Sequence, residues 1–183
     1  SFYALSESLE NTTFVVALKY KDNVEKNFTI KIPPGNYEDR WIDSTRAAYI
    51  ESAVNSSLDR VGLGDIEDIK KNVQNLDNHQ IPYLRFTVDP VSGRSVFALS
   101  TNNDEEVIDN ITTITNISIN FNVDNEGNIN NTTPLLFRLG WQLGFRAGEY
   151  NLEIENNSGS ILSEGICFVN GPQYCYLIVN DYN

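Results

Sequence analysis

The chain changes its hydrophobic period at one joint. Up to Ile32 the pattern is that of strands: "TTFVVALKYK" is rich in β-branched and aromatic residues, and Phe28, Ile30 and Ile32 alternate with Thr29 and Lys31. At Pro33 and Pro34 the alternation stops, because proline donates no ladder hydrogen bond, and Gly35-Asn36 offers a turn. Beyond it Ala47, Ile50, Val54, Leu58 and Val61 recur at spacings of three and four, an apolar stripe that Asp43 or Ser44 can cap and Gly62 can stop. A hairpin through "DNVEK" followed by an amphipathic helix begins an order of strands, helices and strands that argues for α+β with an antiparallel sheet.

The remaining segments extend this reading. A second helical piece is expected with Asp65 as cap and Ile66, Ile69, Val73 and Leu76 as its stripe, so the helical segment has two pieces over roughly 43–78. "YLRFTVDPVSGRSVFALS" reads as two strands around a turn, with Leu84, Phe86 and Val88 on one face. Ile117, Ile119, Phe121 and Val123 alternate with Ser118, Asn120 and Asn122 as a strand with one wet face. In "NTTPLLFRLGWQLGFRAGEY", Thr133 as cap, Pro134 at the first helical position and Gly144 at the end predict a short helix of about three turns. Two or three strands follow it. The expected class is α+β with antiparallel sheet; a β-sandwich with inserted helices is the alternative. All 183 residues are read as a single domain, either a whole protein or a piece of a longer chain.

Composition narrows the function. A net charge of −12 opposes the Lys/Arg footprint that nucleic-acid binding needs and disfavours anionic membrane surfaces. No apolar run approaches the roughly 20 residues of a membrane span. The NxS/T triplets at Asn11, Asn27, Asn55, Asn110, Asn116, Asn130, Asn131 and Asn156 would accept glycans in a secreted chain. Cys167 and Cys175 flank Asn170-Gly171-Pro172; a hairpin there puts the two opposite each other, so they are either a cross-strand disulfide or two buried thiols.

Catalytic and cofactor patterns are missing. The single histidine, His79, lies in a polar loop with no acid partner nearby except Asp77, and no nucleophile elbow or phosphate-binding glycine loop accompanies it. Acid pairs such as Glu38-Asp39, Asp104-Glu105-Glu106 and Glu153/Glu155 suit a glycosidase only if two converge on one cleft, and a solvated face is the better reading of them. "NVDNEGNINNTT" alternates like a calcium loop, but Thr133 stands where the bidentate glutamate should be, so a β-turn at 125–128 is the better reading. Gly140 and Gly144 have the spacing of close helix packing, here onto a sheet. No catalytic residue, cofactor site or metal site is assigned.

In their order, "TIKIPPGNY", the helix "RAAYIESAVNSSL", "RFTVDPVSGR", "LLFRLGWQLGFR", "LSEGI" and "YCYLIVNDY" resemble a module of virion proteins of nucleocytoplasmic large DNA viruses. The resemblance spans 28–182, with 64–78 and 102–110 as insertions. It implies a non-enzymatic minor capsid or capsid-associated protein, resident in the virion and assembled in the host cytoplasm, in an oligomeric assembly with other capsid chains. Tyr174, Tyr176 and Tyr182 are the interface candidates that follow from it, or else they complete the core of the last strand. The alternative function is a surface or host-attachment module for a carbohydrate or receptor, with Trp41 and Trp141 as first candidates to stack on sugars.

Overall fold

A computed structural model describes residues 4–37, 45–64, 78–80, 82–101, 112–156 and 158–169, with the backbone alone at 45–48. Among the described residues seven strands form two antiparallel sheets. One contains β1 (Thr13–Tyr20), β2 (Glu25–Lys31), β5 (Ile114–Asn120) and β6 (Glu149–Glu153) in the order β2-β1-β5-β6. The other contains β3 (Pro82–Val88), β4 (Arg94–Thr101) and β7 (Ser158–Ile166) in the order β3-β4-β7. With helix α1 (Thr45–Arg60) and the short helix α2 (Leu139–Leu143), the chain is α+β.

Alternation along the strands sends one set of side chains inward from each sheet. Phe14, Val16 and Leu18 of β1 and Ile117 and Ile119 of β5 are fully buried, as are Leu84, Phe86, Phe97 and Leu99 from β3 and β4. The inner faces meet through phenylalanine rings: Phe14 lies 5.6 Å from Phe97, Phe86 5.0 Å from Phe97, and Phe121 5.2 Å from Phe145. The first two pairs are tilted and the third stacked, and contacts of these kinds contribute about 0.5–1.5 kcal/mol per pair beyond the area they bury.

Helix α1 closes one side of this arrangement. Its predicted stripe is buried at Ile50, Val54 and Leu58. Gly62, at φ 87°, ends it: Leu63 N–H returns to Leu58 O at 3.0 Å and Gly62 N–H to Asp59 O at 3.0 Å, the paired bonds of a glycine-terminated helix. The helix also covers the outer edge of β3. Phe86 N–H donates to Asn55 Oδ1 at 2.8 Å, Asn55 Nδ2 donates to Phe86 O at 2.9 Å, and Val88 N–H donates to Glu51 Oε1 at 2.5 Å. Leu63 O takes Leu84 N–H at 2.8 Å. Glu51 and Asn55, one turn apart on α1, therefore stand in for a missing neighbouring strand.

Two local expectations change. Gly35-Asn36 is not a free turn: Leu5 and Gly35 exchange both backbone bonds, at 3.1 and 2.9 Å, and Asn36 Oδ1 accepts Ala4 N–H at 2.7 Å. The joint is tied to the segment before β1. The three-turn helix is a 3-10 turn (Leu135–Phe137) and the five-residue α2, divided at Arg138, whose backbone is extended at φ −85° and ψ 157°. The break lets the Arg138 side chain turn inward, where it is 1% exposed. Its Nη1 donates to Glu10 O at 3.3 Å and Val123 O at 3.0 Å, and its Nη2 to Asn130 O at 2.6 Å. The glycine pair does mark close packing: a Cβ on Gly140 would lie 2.6 Å from the Phe121 ring, and Gly144, at φ 99°, would meet Gly165 O at 2.4 Å. The second helical piece lies outside the described residues.

Candidate interaction face

The strand register fixes which residues stand together on the outside of the three-stranded sheet. Tyr83 of β3 pairs with Ser100 of β4, which pairs with Ser158 of β7; the next outward row is Arg85, Ala98, Ser160, then Thr87, Val96, Leu162. A fourth row joins Arg94 to Ile166 beyond an irregularity between Arg94 and Val96. At the first rows the sheet holds a shallow concavity of about 410 Å³ bordered by Tyr83, Arg85 and the serines of β4 and β7. The Arg85 guanidinium sits 4.7 Å from the Tyr83 ring centre and pairs with Asp59 of α1.

The later rows set exposed aliphatic side chains among the polar ones of Thr87, Arg94 and Glu164. Leu162 is 48% exposed and Ile166 56% exposed, with Val96 half-buried between the strands. Ile166 packs beside Gly93 in the β3–β4 turn, and that turn carries Val91 at 94% exposure. Large aliphatic side chains exposed in register along one sheet face leave apolar area in water. Tyr83 and Arg85 at the other end are residue types that concentrate contact energy in interfaces.

A network of polar groups fixes the β7 side. Tyr150 Oη accepts the Arg146 and Ala147 N–H groups, each at 2.9 Å, and donates to Glu164 at 2.7 Å. Burial raises the Tyr150 phenol above its ordinary pKa, and the Glu164 carboxylate beside it acts in the same direction. Burial pushes Glu164 up, but the bonds from Tyr150 and from Arg146 N–H outweigh it and hold the carboxyl low. The phenol thus stays neutral and the carboxylate charged, a pairing suited to holding the 144–148 loop on β7.

The residues singled out in the sequence fall in several places. Tyr174, Tyr176, Tyr182, Cys175 and Trp41 lie outside the described residues, as do Glu38-Asp39 and Asp104-Glu105-Glu106. Cys167 is half-buried, and its N–H donates to Gly93 O at 2.8 Å beside the exposed aliphatic side chains. Trp141 is half-buried with the Arg146 guanidinium 4.1 Å from its ring centre, so an Arg already stacks on the indole. Glu153 and Glu155 are exposed on β6 and just after it. Asn11 and Asn55 have their amides engaged, Asn11 Nδ2 to Ala4 O at 2.7 Å and Asn55 to Phe86, which sets them apart from the exposed triplets at Asn27 and Asn156.

His79 has an acid partner that sequence distance concealed. Its Nε2 lies 2.7 Å from Asp22 Oδ2 in the β1–β2 hairpin, and its ring packs edge-on to Tyr20 at 4.7 Å. Tyr20 Oη donates to Gln80 O at 2.7 Å and Gln80 Oε1 accepts Ile114 N–H at 3.0 Å, so the pair belongs to a polar seam tying the 78–80 segment to the first sheet. The 125–128 stretch is a turn: Asp124 Oδ1 accepts Glu126 N–H at 3.0 Å and Asn128 N–H at 2.9 Å, and Gly127 takes φ 88° where a Cβ would strike Thr29. Among the described residues no three His, Cys, Asp or Glu side chains stand together as a metal site.

No protein-family model, curated protein or solved structure matches the chain. The fold and this face define an α+β protein of two antiparallel sheets, with aromatic, arginine and aliphatic groups in register on the outside of the smaller one. No helix among the described residues is long and apolar enough to cross a membrane.

Proposed function

We propose that the chain is a non-enzymatic structural protein of a large DNA virus particle, minor capsid or capsid-associated, that holds other capsid chains through the outer face of β3, β4 and β7. The observation that carries this reading is the exposure of Leu162, Ile166 and Val91 beside the half-buried Val96, with Arg94 and Glu164 among them. A partner chain laid on this face removes their apolar area from water, at about 25 cal/mol per Å² before the costs of association. Tyr83 and Arg85 anchor one end, and the order of short motifs along the chain supports the same class. The protein then resides in the virion, assembles in the host cytoplasm and has protein partners. Its charge of −12 keeps it from competing for the packaged genome.

Quantitative mass spectrometry of purified particles from the source tests the assignment. The chain is expected at a fixed ratio to the major capsid chain, and its absence from washed particles would overturn the reading. A Leu162→Asp/Ile166→Asp variant is expected to fold normally and to be lost from particles at least tenfold, because two charges are then buried unpaired in the interface.

A carbohydrate-binding function is the second reading, and the Tyr83 concavity favours it. A ring, a guanidinium and the hydroxyls of Ser100, Ser158 and Ser160 on one shallow shelf offer the stacking and hydrogen-bonding groups that sugars need. Tyr83, which carries Arg85 over one face of its ring, takes the stacking role expected of the tryptophans through the other face. A glycan array with Tyr83→Ala as control tests it: glycan binding lost in the variant supports this reading, and no binding by the unaltered chain ends it.

A further inference from the structure

The joint that redirects the chain also borders a cleft. A solvent-open cleft of about 260 Å³ lies where Pro33 and Pro34 leave β2, between the turn at Glu7, the first residues of β1, Arg60 at the end of α1 and Asn125 in the turn after β5. These segments are far apart in sequence, and each contributes a polar group.

Two of those groups are cations. Lys31 and Arg60 line the cleft, and neither has a carboxylate within ion-pair distance among the described residues. Arg60 Nη2 donates to Ser57 Oγ at 2.7 Å. Two cations unpaired at one cleft in a chain of net charge −12 make a local positive site on an acidic molecule.

Two further groups are buried and unpaired. Thr13 is 2% exposed, yet its Oγ1 has no hydrogen-bond partner among the described residues. Asn125 spends its Nδ2 on Glu7 O at 2.9 Å, and its Oδ1 is buried without a partner. Leaving such groups unsatisfied is costly, and a ligand of matching polarity would recover that cost. Asn125 Oδ1 and the Glu7 carboxylate both call for a donor, whereas Lys31 and Arg60 call for an anion.

We propose that this cleft binds a small organic acid that also carries hydroxyl or ammonium donors, its carboxylate between Lys31 and Arg60 and its donors toward Thr13 Oγ1, Asn125 Oδ1 and Glu7. A compound of the size of an amino acid or a hexuronic acid suits the volume. The site is separate from the outer face of β3, β4 and β7, and its test uses the free chain, so the two stand or fall independently.

Saturation-transfer NMR and calorimetry with four probes decide it: glucuronate and serine, which combine acid and donors, acetate, which has only the acid, and glucose, which has only hydroxyls. Glucuronate or serine is expected to bind saturably, with acetate and glucose at least about tenfold weaker. Lys31→Gln/Arg60→Gln is expected to weaken that binding at least about tenfold. Thr13→Val is expected to weaken it severalfold while keeping or raising Tm, since an isosteric apolar group removes an unpaired hydroxyl. No saturable binding of glucuronate or serine up to about 10 mM would overturn the proposal. So would binding that Lys31→Gln/Arg60→Gln leaves unchanged, or a Thr13→Val chain that gains stability and binds as before.

Discussion

Arg138 joins three segments that no local pattern links. Its guanidinium bonds carbonyls of Glu10, Val123 and Asn130, and burial lowers its pKa while Glu10 and Asp124 act to restore it. In the sequence it is one charged residue inside "LLFRLG", indistinguishable from a solvated position on a helix, and the helix pattern around it hides the break at that residue. Replacing it with Gln strands buried carbonyls and leaves space, so Arg138→Gln is expected to lose about 3 kcal/mol or more in denaturant unfolding. A loss below about 1 kcal/mol would mean that the three carbonyls find water instead. The His79–Asp22 pair was likewise invisible, because 57 residues separate partners that only the pairing of 78–80 with the first sheet brings together. Gly62, by contrast, was legible: a glycine after the last stripe residue has one common use, and it ends α1.

At the level of elements, period and punctuation located β1 to β5, α1 and their hairpins, because each buries one face and reverses at residues suited to turns. The pattern could not show how edges are managed. Asn55 reads as a polar residue on the exposed side of a helix, or as a glycan acceptor, yet it bonds both the N–H and the C=O of Phe86. Asn55→Ala is expected to cost about 2 kcal/mol and to open the β3 edge, raising concentration-dependent association in sedimentation runs. An unchanged midpoint and unchanged association would show that the helix covers the edge by packing alone. The turns carry a pH signature. Asp89 is held low by the Ser92 hydroxyl and then the Ser92 and Val91 N–H groups, Asp124 by Asn128 and Glu126 N–H, and Asp22 by Val24 N–H and then His79. A carboxyl depressed in the folded state stabilises above its unfolded pKa and loses that contribution as pH falls through the folded one. Melting temperature is therefore expected to hold steady with respect to these groups down to about pH 5 and to fall below about pH 4. Asp89→Asn/Asp124→Asn should melt lower at pH 6 and show a shallower acid limb; an acid limb as steep as before would contradict this account of the turns.

Over the whole molecule, charge and the α+β class were readable, and the candidate face was not. Val91 lies in the β3–β4 turn and Leu162 and Ile166 in β7, far along the chain, and only the β4–β7 register aligns the last two beside Val96 and against the turn that carries the first. Tyr83 and Arg85 read as alternate residues of a strand, and their stacking over a shared shelf with the serines of β4 and β7 is a property of the sheet. The central claim is that this face, and not the asparagine-rich outer face of the four-stranded sheet, holds neighbouring chains in a virus particle. The most direct measurement places a photo-cross-linking amino acid at Leu162 in one strain and at Asn151 of β6 in another, irradiates intact purified particles, and identifies the products by mass spectrometry. The account predicts cross-links from position 162 to another capsid chain and few from position 151. A chain missing from the particles, or cross-links formed only from position 151, would contradict it.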